Sequence, residues 1–411
     1  MTRLRANQGG LLPPPDGPVT HTSPLSRTAE VFLVFLQLGL TSFGGPVAHL
    51  GYFREAFVVR RHWLSDTDYA DLVALCQFLP GPASSQVGIA IGQMRAGAAG
   101  ALAAWLAFTL PSVLLLLAFA YGLSAFPWLA DQGVLHGLKV AALAVVAQAV
   151  WSMGRSLTPD RPRQAIAVLA AILVLLAPGS IAQIGVLAFA LLWGFARGTG
   201  RGAAVAAPSA GQRRGVVLLA AFFVLLAGLP LLATLSGNAS LDIFDRFYRT
   251  GSLVFGGGHV VLPLLQGELV DTGLIDRDLF LAGYGAAQAV PGPLFSFAAC
   301  AGALLKTPPN GLAGAAIALA GIYLPSFLLV LGALPFWQRL RANPRMRSGL
   351  DAANAAVVGL LLAALYDPVF TSAVSTPTDF AAALAAFGAL TLLRTPPWLL
   401  VILAAATYWV L

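Results

Sequence analysis

The chain repeats itself, and the repeat constrains the fold more than any single motif. Ser42-Phe43-Gly44-Gly45 followed by Gln77-Phe78-Leu79-Pro80-Gly81-Pro82 returns as Val254-Phe255-Gly256-Gly257 followed by Gln288-Ala289-Val290-Pro291-Gly292-Pro293. Leu110-Pro111-Ser112 returns as Leu324-Pro325-Ser326, and Gly137-Leu138-Lys139 as Gly349-Leu350-Asp351, all at an offset of about 212 residues. Chance does not hold four anchors in register, so the chain is two copies of one unit. The glycines and prolines interrupt apolar segments at matched positions. That pattern belongs to secondary transporters whose site lies between two halves.

Composition sets the solvent. Hydrophobic residues make up 58% of the 411 positions and charged ones only 10%, with a mean hydropathy of +0.80. Too little polar surface remains for a soluble globule, and an all-α polytopic membrane protein is expected. Apolar runs of spanning length cover 97–122, 134–154, 180–196, 215–235, 312–334, 348–366 and 380–411, the last broken near Arg394-Thr395-Pro396-Pro397. A shorter run, 164–177, turns at Pro178-Gly179-Ser180 into a helical hairpin with the next. The stretches 29–50, 71–94, 247–265 and 283–305 carry the Gly-Gly or Pro-Gly-Pro interruptions. The expected organisation is a disordered cytoplasmic tail (1–28), an N-terminal half (29–196), a basic linker (197–214) and a C-terminal half (215–411). The tail has no apolar core before a small-residue cleavage site, so no signal peptide is expected. Cys76 and Cys300 read as packing residues rather than a disulfide or zinc site. The net charge of +7 comes from arginines in short loops, not from one basic face, which argues against nucleic acid.

Loop charge predicts orientation, because cytoplasmic loops carry excess Lys and Arg. In the first half, 122–136 has only Asp131 while 155–163 carries Arg155, Arg161 and Arg163. In the second half the order reverses: 335–347 carries Arg339, Arg341, Arg345 and Arg347, and 367–379 carries Asp367 and Asp379. Two homologous halves in inverted orientation follow. The loop holding Arg54, Arg60, Arg61 and His62, and its counterpart with Glu268, Asp271, Asp276, Arg277 and Asp278, obey the same rule only if the interrupted segments dip in and return. Broken or re-entrant helices are therefore expected at the Gly-Gly and Pro-Gly-Pro motifs. Full crossing, with about 13 spans, stays open.

A helix broken inside a bilayer exposes backbone groups that only protein or a water-filled cavity can satisfy, so such breaks mark sites. Pro82 and Pro293 are expected in the first turn of a returning half-helix, where a missing N–H costs nothing. The helix N-terminus suits an anion, with Ser84, Ser85 and Ser296 as hydroxyl donors and Gln77 and Gln288 lining the break. Gly44, Gly45, Gly256 and Gly257 offer a second pair of backbone turns, and Pro80, Gly81, Pro291 and Gly292 complete the set. The alternative, that these residues only kink helices or permit close packing, is common in membrane helices but weakened by recurrence in both copies. Arg54, Arg60 and Arg61 are candidates to gather anions at the cytoplasmic mouth, or simply set orientation. Lys139 lies inside an apolar span, as a functional residue or a snorkelling one, and a Lys139–Asp351 pair is expected if the two spans meet. Candidate proton carriers are His49 and His259, with Glu30, Asp71 and His136 nearer segment ends. Asp66, Asp68 and Asp71 read as a solvated lead-in. No HExxH, Walker loop or Asp-rich motif occurs, so neither an enzyme, a cofactor nor a metal site is expected.

Several of these residues resemble a known family. Phe43-Gly44-Gly45-Pro46, the stretch from Phe57 to Trp63-Leu64-Ser65, the first Pro-Gly-Pro motif, Gly92 with Gly97 and Gly100, and Leu110-Pro111-Ser112 look like the chromate ion transporter (CHR) family. The second copy resembles it through Phe255-Gly256-Gly257-Gly258, Pro291-Gly292-Pro293 and Pro325-Ser326, so the resemblance covers nearly the whole chain beyond the tail. It implies a bacterial inner-membrane protein of the two-domain, long-chain type that exports chromate and confers resistance, with related members linked to sulfate. It also implies homologous, oppositely oriented halves. Its partners would be the oxyanion and the lipid bilayer; homo-oligomer formation stays open. Export of a dianion from a cell negative inside runs downhill by roughly 2.3 kcal/mol per charge per 100 mV, so uniport and proton exchange both remain. A sulfate or other oxyanion carrier and a passive anion channel are the alternatives.

Overall fold

The computed structural model describes residues 24–43, 45–125, 132–177, 180–198, 210–254, 260–337 and 343–410, which are helical with no strand among them. The first copy runs through α1 (Pro24–Thr41), α2 (Gly45–Arg54), a π-helical turn (Glu55–Arg60), α3 (Asp66–Phe78), α4 (Ala83–Ala125), α5 (Gln132–Leu157), α6 (Arg161–Leu176) and α7 (Ser180–Arg197). Helix α8 (Ala210–Ser236) connects it to the second copy. There follow α9 (Ala239–Leu253), α10 (Val261–Leu265) with its own π-helical turn (Gln266–Val270), α11 (Arg277–Ala289), α12 (Phe297–Ala303), α13 (Gly311–Ala333), α14 (Pro344–Ala364), α15 (Pro377–Thr391) and α16 (Pro397–Val410).

Local chemistry explains the boundaries. Ser65 caps α3 by accepting from the Asp68 amide, and Asp276 caps α11 by accepting from Asp278 and Leu279, so the acidic lead-ins are helix N-termini. Asp160 caps α6, and the Arg163 amide and guanidinium hold its carboxyl below the ordinary value. Thr376 and Asp379 form a capping box on α15. The break expected near Arg394 separates α15 from α16, and 164–177 and 180–196 are the helices α6 and α7. Helix α1 begins at Pro24, inside the stretch 1–28 expected to be disordered. Asp131, Arg201, Arg339 and Arg341 lie outside the described residues.

By length and apolar composition five helical runs can cross a membrane: Ala83–Leu123, Gly133–Leu157, Gln212–Ser236, Gly311–Phe336 and Pro344–Ala373. The chain is a multi-pass membrane protein. The first run bends at Ala96 and Gly97, where Gly92 and Gly100 pack so closely that a Cβ on either would strike the other's carbonyl oxygen. With 13 residues each, α3 and α11 reach about 20 Å. That is short of the ~30 Å hydrocarbon core.

Packing exchanges partners between copies. Helix α1 lies on α4 and α9 on α13, each within its own copy, but α5 packs on α11, α15 and α16, while α14 packs on α6 and α7. Matched glycines permit the close approach: a Cβ on Gly137 would lie 2.5 Å from the Ala404 oxygen, and one on Gly349 3.0 Å from that of Leu191. Both large apolar clusters draw side chains from the two copies. Neither copy encloses a core of its own.

Candidate functional site

Each Pro-Gly-Pro sits between two helices. Helix α3 ends at Phe78 with Leu79 extended, and α4 starts at Ala83. Helix α11 ends at Ala289 with Val290 extended, and the next helical turn starts at Leu294. Gly81 (φ +119°) and Gly292 (φ +100°) adopt backbone conformations that other residues rarely take. Pro82 and Pro293 stand just ahead of the first helical residue, one position earlier than expected.

The two turns are tied to opposite copies in the same way. The Gly81 N–H donates to the Val254 carbonyl at 2.6 Å, and the Gly292 N–H to the Ser42 carbonyl at 2.9 Å. Val254 and Ser42 are the matched residues that lead into the two Phe-Gly-Gly motifs. A Cβ on Gly81 would meet Ser326 Oγ at 2.9 Å, and one on Gly292 would meet Ser112 Oγ at 3.0 Å. Each turn is thus held between the glycine approach and the Leu-Pro-Ser motif of the other copy. Both glycine amides are committed to protein, and the prolines have none. The amides that remain are those of Ala83, Ser84 and Ser85 in the first turn of α4, which have no intrahelical acceptor.

Around these crossed turns lies a buried polar centre. Ser42, His49, Ser84, Ser85, Gln86, Thr109, Ser112, Tyr323 and Ser326 are all at most 3% exposed. His49 Nδ1 stands 3.4 Å from Ser84 Oγ, with its ring edge-on to Phe108 at 5.3 Å. The Gln86 amide donates to the Pro80 carbonyl at 2.6 Å, closing the first turn. The Tyr323 hydroxyl faces Thr109 and Ser85, yet no aligned hydrogen bond satisfies Ser42 Oγ, His49 Nε2, Ser85 Oγ, Gln86 Oε1, Thr109 Oγ1, Tyr323 OH or Ser326 Oγ. A buried polar group left unpaired costs about 1–3 kcal/mol. Seven such atoms around the crossed turns, from both copies, make this the candidate site for a polar ligand.

The sequence signal for half of this centre was present but unused. Thr109 and Tyr323 immediately precede the two Leu-Pro-Ser motifs, and Ser112 and Ser326 end them. Read only as register marks, these motifs place hydroxyls at matched positions of two proline-containing helices.

The remaining predicted residues divide. Gly44, Gly256, Gly257 and His259 lie outside the described residues, while Gly45 opens α2. The Ser296 hydroxyl donates to the Pro293 carbonyl at 2.6 Å and is spent on its own turn. Gln77 faces outward; Gln288 is half-buried with Nε2 unpartnered. The expected Lys139–Asp351 pair does not form. Lys139 reaches Asp278 on α11 at 2.9 Å, and Asp351 is approached by Arg163 at 3.6 Å. Helices α5 and α14 do touch, but Lys139 is drawn to a carboxylate on α11 and Asp351 to an arginine on α6. Glu30 pairs with Arg95 at 2.9 Å and His136 with Asp379 at 3.0 Å. Arg54 pairs with Asp66 at 2.6 Å and Arg60 with Glu55 at 2.9 Å, both near the surface. Cys76 and Cys300 are free and fully buried.

Comparison with known proteins places this geometry. The family described as "Chromate transporter" matches residues 29–239 and 241–409. A "Chromate transport protein" of Pseudomonas aeruginosa is 31% identical over 376 residues, covering 88% of this chain and 86% of that protein. One of the same name from Cupriavidus metallidurans is 28% identical over 363 residues, covering 87% and 86%. An "Uncharacterized transporter" of Methanocaldococcus jannaschii is 26% identical over 349 residues, covering 81% and 82%. No solved structure matches.

Proposed function

This chain belongs to the chromate transporter family, and from that premise we propose that it carries chromate out of a bacterial cell through the buried polar centre between its copies. It is a transporter rather than an enzyme. The observation that carries the reading is the set of seven unpartnered polar atoms gathered from both copies. Hydroxyls can turn to donate, an imidazole nitrogen can carry a proton, and the free amides of α4 point from a helix N-terminus. Together they suit a tetrahedral dianion. His49 is the one side chain among those of the centre with a cationic form, so binding stays weak enough to reverse. Sulfate has the same shape and charge, and a sulfate carrier is the second reading.

Inverted halves, 29–196 and 215–411, with helices broken at the Pro-Gly-Pro turns, would set this centre near the bilayer midplane. The tail and the basic linker 197–214 would face the cytoplasm of a cell whose inner membrane holds the protein. The potential then favours export by roughly 2.3 kcal/mol per charge per 100 mV, and export lowers internal chromate, the basis of resistance. The closure of the centre on all sides supports a carrier rather than a standing pore.

The test is uptake of radiolabelled chromate into inverted membrane vesicles, energised or not, with sulfate as competitor. Protein-dependent chromate uptake that falls in Thr109→Val and Ser326→Ala variants of verified expression is expected. Uptake of sulfate alone would remove the chromate assignment, and no uptake of either would remove the function.

A further inference from the structure

A cavity of about 620 Å³ opens beside the centre in the first copy. Gln37 and Thr41 line it from α1, Tyr52 from α2, Glu55 and Arg60 from the π-helical turn, and Arg61 from just beyond that turn. Thr41 is the chain neighbour of Ser42, whose hydroxyl is one of the unpartnered atoms of the centre. The cavity lining and the centre therefore include adjacent residues of the chain. Glu55 is neutralised by Arg60 at 2.9 Å, and Arg61 makes no ion pair among the described residues, so the lining keeps a net positive charge.

The same place in the second copy is filled. At the offset of about 212, Gln37 corresponds to Arg249 and Ala56 to Glu268. Arg249 donates to both Glu268 oxygens, at 2.8 and 3.2 Å, and to Asp245 at 2.9 Å. Arg246 holds Asp242 at 2.9 Å and the Glu268 carbonyl at 2.8 Å. Glu268 and Asp245 are 5% and 2% exposed. Where the first copy has open space beside one cation free among the described residues, Arg61, the second has its own carboxylate seated on an arginine.

We propose that the first-copy cavity is a loading site for the oxyanion, held by Arg61 with Gln37 and Tyr52, and that the Arg249–Glu268 face is the matching passage in its closed state. The proposal rests on the transport reading above. An arginine recognises carboxylate and tetrahedral oxyanions by the same paired N–H geometry, so the second copy shows with Glu268 the contact that the first leaves open for the substrate. A wide, wet cavity with one uncompensated cation holds a dianion loosely, as loading requires.

The experiment labels Thr41→Cys, and separately Tyr52→Cys, with a membrane-impermeant thiol reagent in inverted and right-side-out vesicles. The two native cysteines are buried, which keeps background labelling low. Molybdate and sulfate serve as tetrahedral dianion probes because chromate itself oxidises thiols; chloride is the control. Labelling is expected in inverted vesicles only, slowed several-fold by either dianion, with protection lost on adding Arg61→Gln. Labelling that neither dianion slows, or protection that survives Arg61→Gln, overturns the loading site while chromate uptake by the parent still stands. No labelling of either cysteine in verified protein also overturns it. Protection without any oxyanion uptake would instead remove the transport reading.

Discussion

Two faces related by the repeat hold opposite contents. In the first copy Val34, Gln37 and Ala56 line a cavity rimmed by Arg60 and Arg61, with Glu30 and Leu33 one turn earlier on α1. In the second, Asp242, Asp245, Arg246, Arg249 and Glu268 occupy the matched positions and close into a buried ion network. Both copies keep the same backbone devices around these positions, down to the π-helical turns at Glu55–Arg60 and Gln266–Val270. Such turns occur often at functional sites. The difference teaches that the repeat conserves the scaffold of the crossing and not its state. Five side-chain differences make one face open and the other sealed.

The network should show the largest effect when broken. Arg249→Ala or Glu268→Ala strands a buried charge and is expected to cost on the order of 3–5 kcal/mol, read as a lower thermal unfolding midpoint in detergent. Replacing Arg249, Asp245 and Glu268 together with leucine removes the charges that a single change strands and should recover most of that loss. Single variants as stable as the parent would mean that the second-copy face is not sealed by these ions.

The crossed turns come next. Alanine at Gly81 must adopt φ +119° with its Cβ 2.6 Å from Gln86 Nε2 and 2.9 Å from Ser326 Oγ, whereas at Gly292 the nearest atom is 3.0 Å away. Each should cost about 1–3 kcal/mol, with Gly81→Ala the more damaging. The reverse order in denaturation would show that the two turns are not held as described.

A third pair separates site from scaffold. Thr109→Val and Tyr323→Phe remove unpartnered hydroxyls, so stability should hold or rise, by at most about 1–3 kcal/mol, while oxyanion uptake falls. Loss of stability without a specific loss of uptake would make these groups structural. The smallest change belongs to the rim of the cavity. Arg61→Gln should leave stability within about 0.5 kcal/mol and raise the substrate concentration for half-maximal uptake. Arg60→Gln should do less, because its charge already serves Glu55.

Much of this was legible in one dimension. The breaks at Pro80-Gly81-Pro82 and Pro291-Gly292-Pro293, the α6–α7 hairpin and the gap between α15 and α16 follow from residues that act on their own backbone. Ser84 and Ser85 were found because a helix N-terminus is a local feature. Thr109, Ser112, Tyr323 and Ser326 were not, because in the sequence they lie far from the turns they touch. Lys139 was matched with Asp351 on repeat symmetry, but each finds its opposite charge on another helix.

The sequence by itself determined an all-α membrane chain of two related copies and the glycine-centred turns at which consecutive helices end. Those are consequences of hydropathy and of backbone chemistry that needs no neighbour. Tertiary structure alone decided that each turn is gripped by the opposite copy, that the glycine amides are spent on that grip, and that seven buried polar atoms around the turns are left without partners. It also decided which matched face stands open. Side-chain partners depend on the packing of distant helices against each other, and a repeat seen along the chain does not specify that packing.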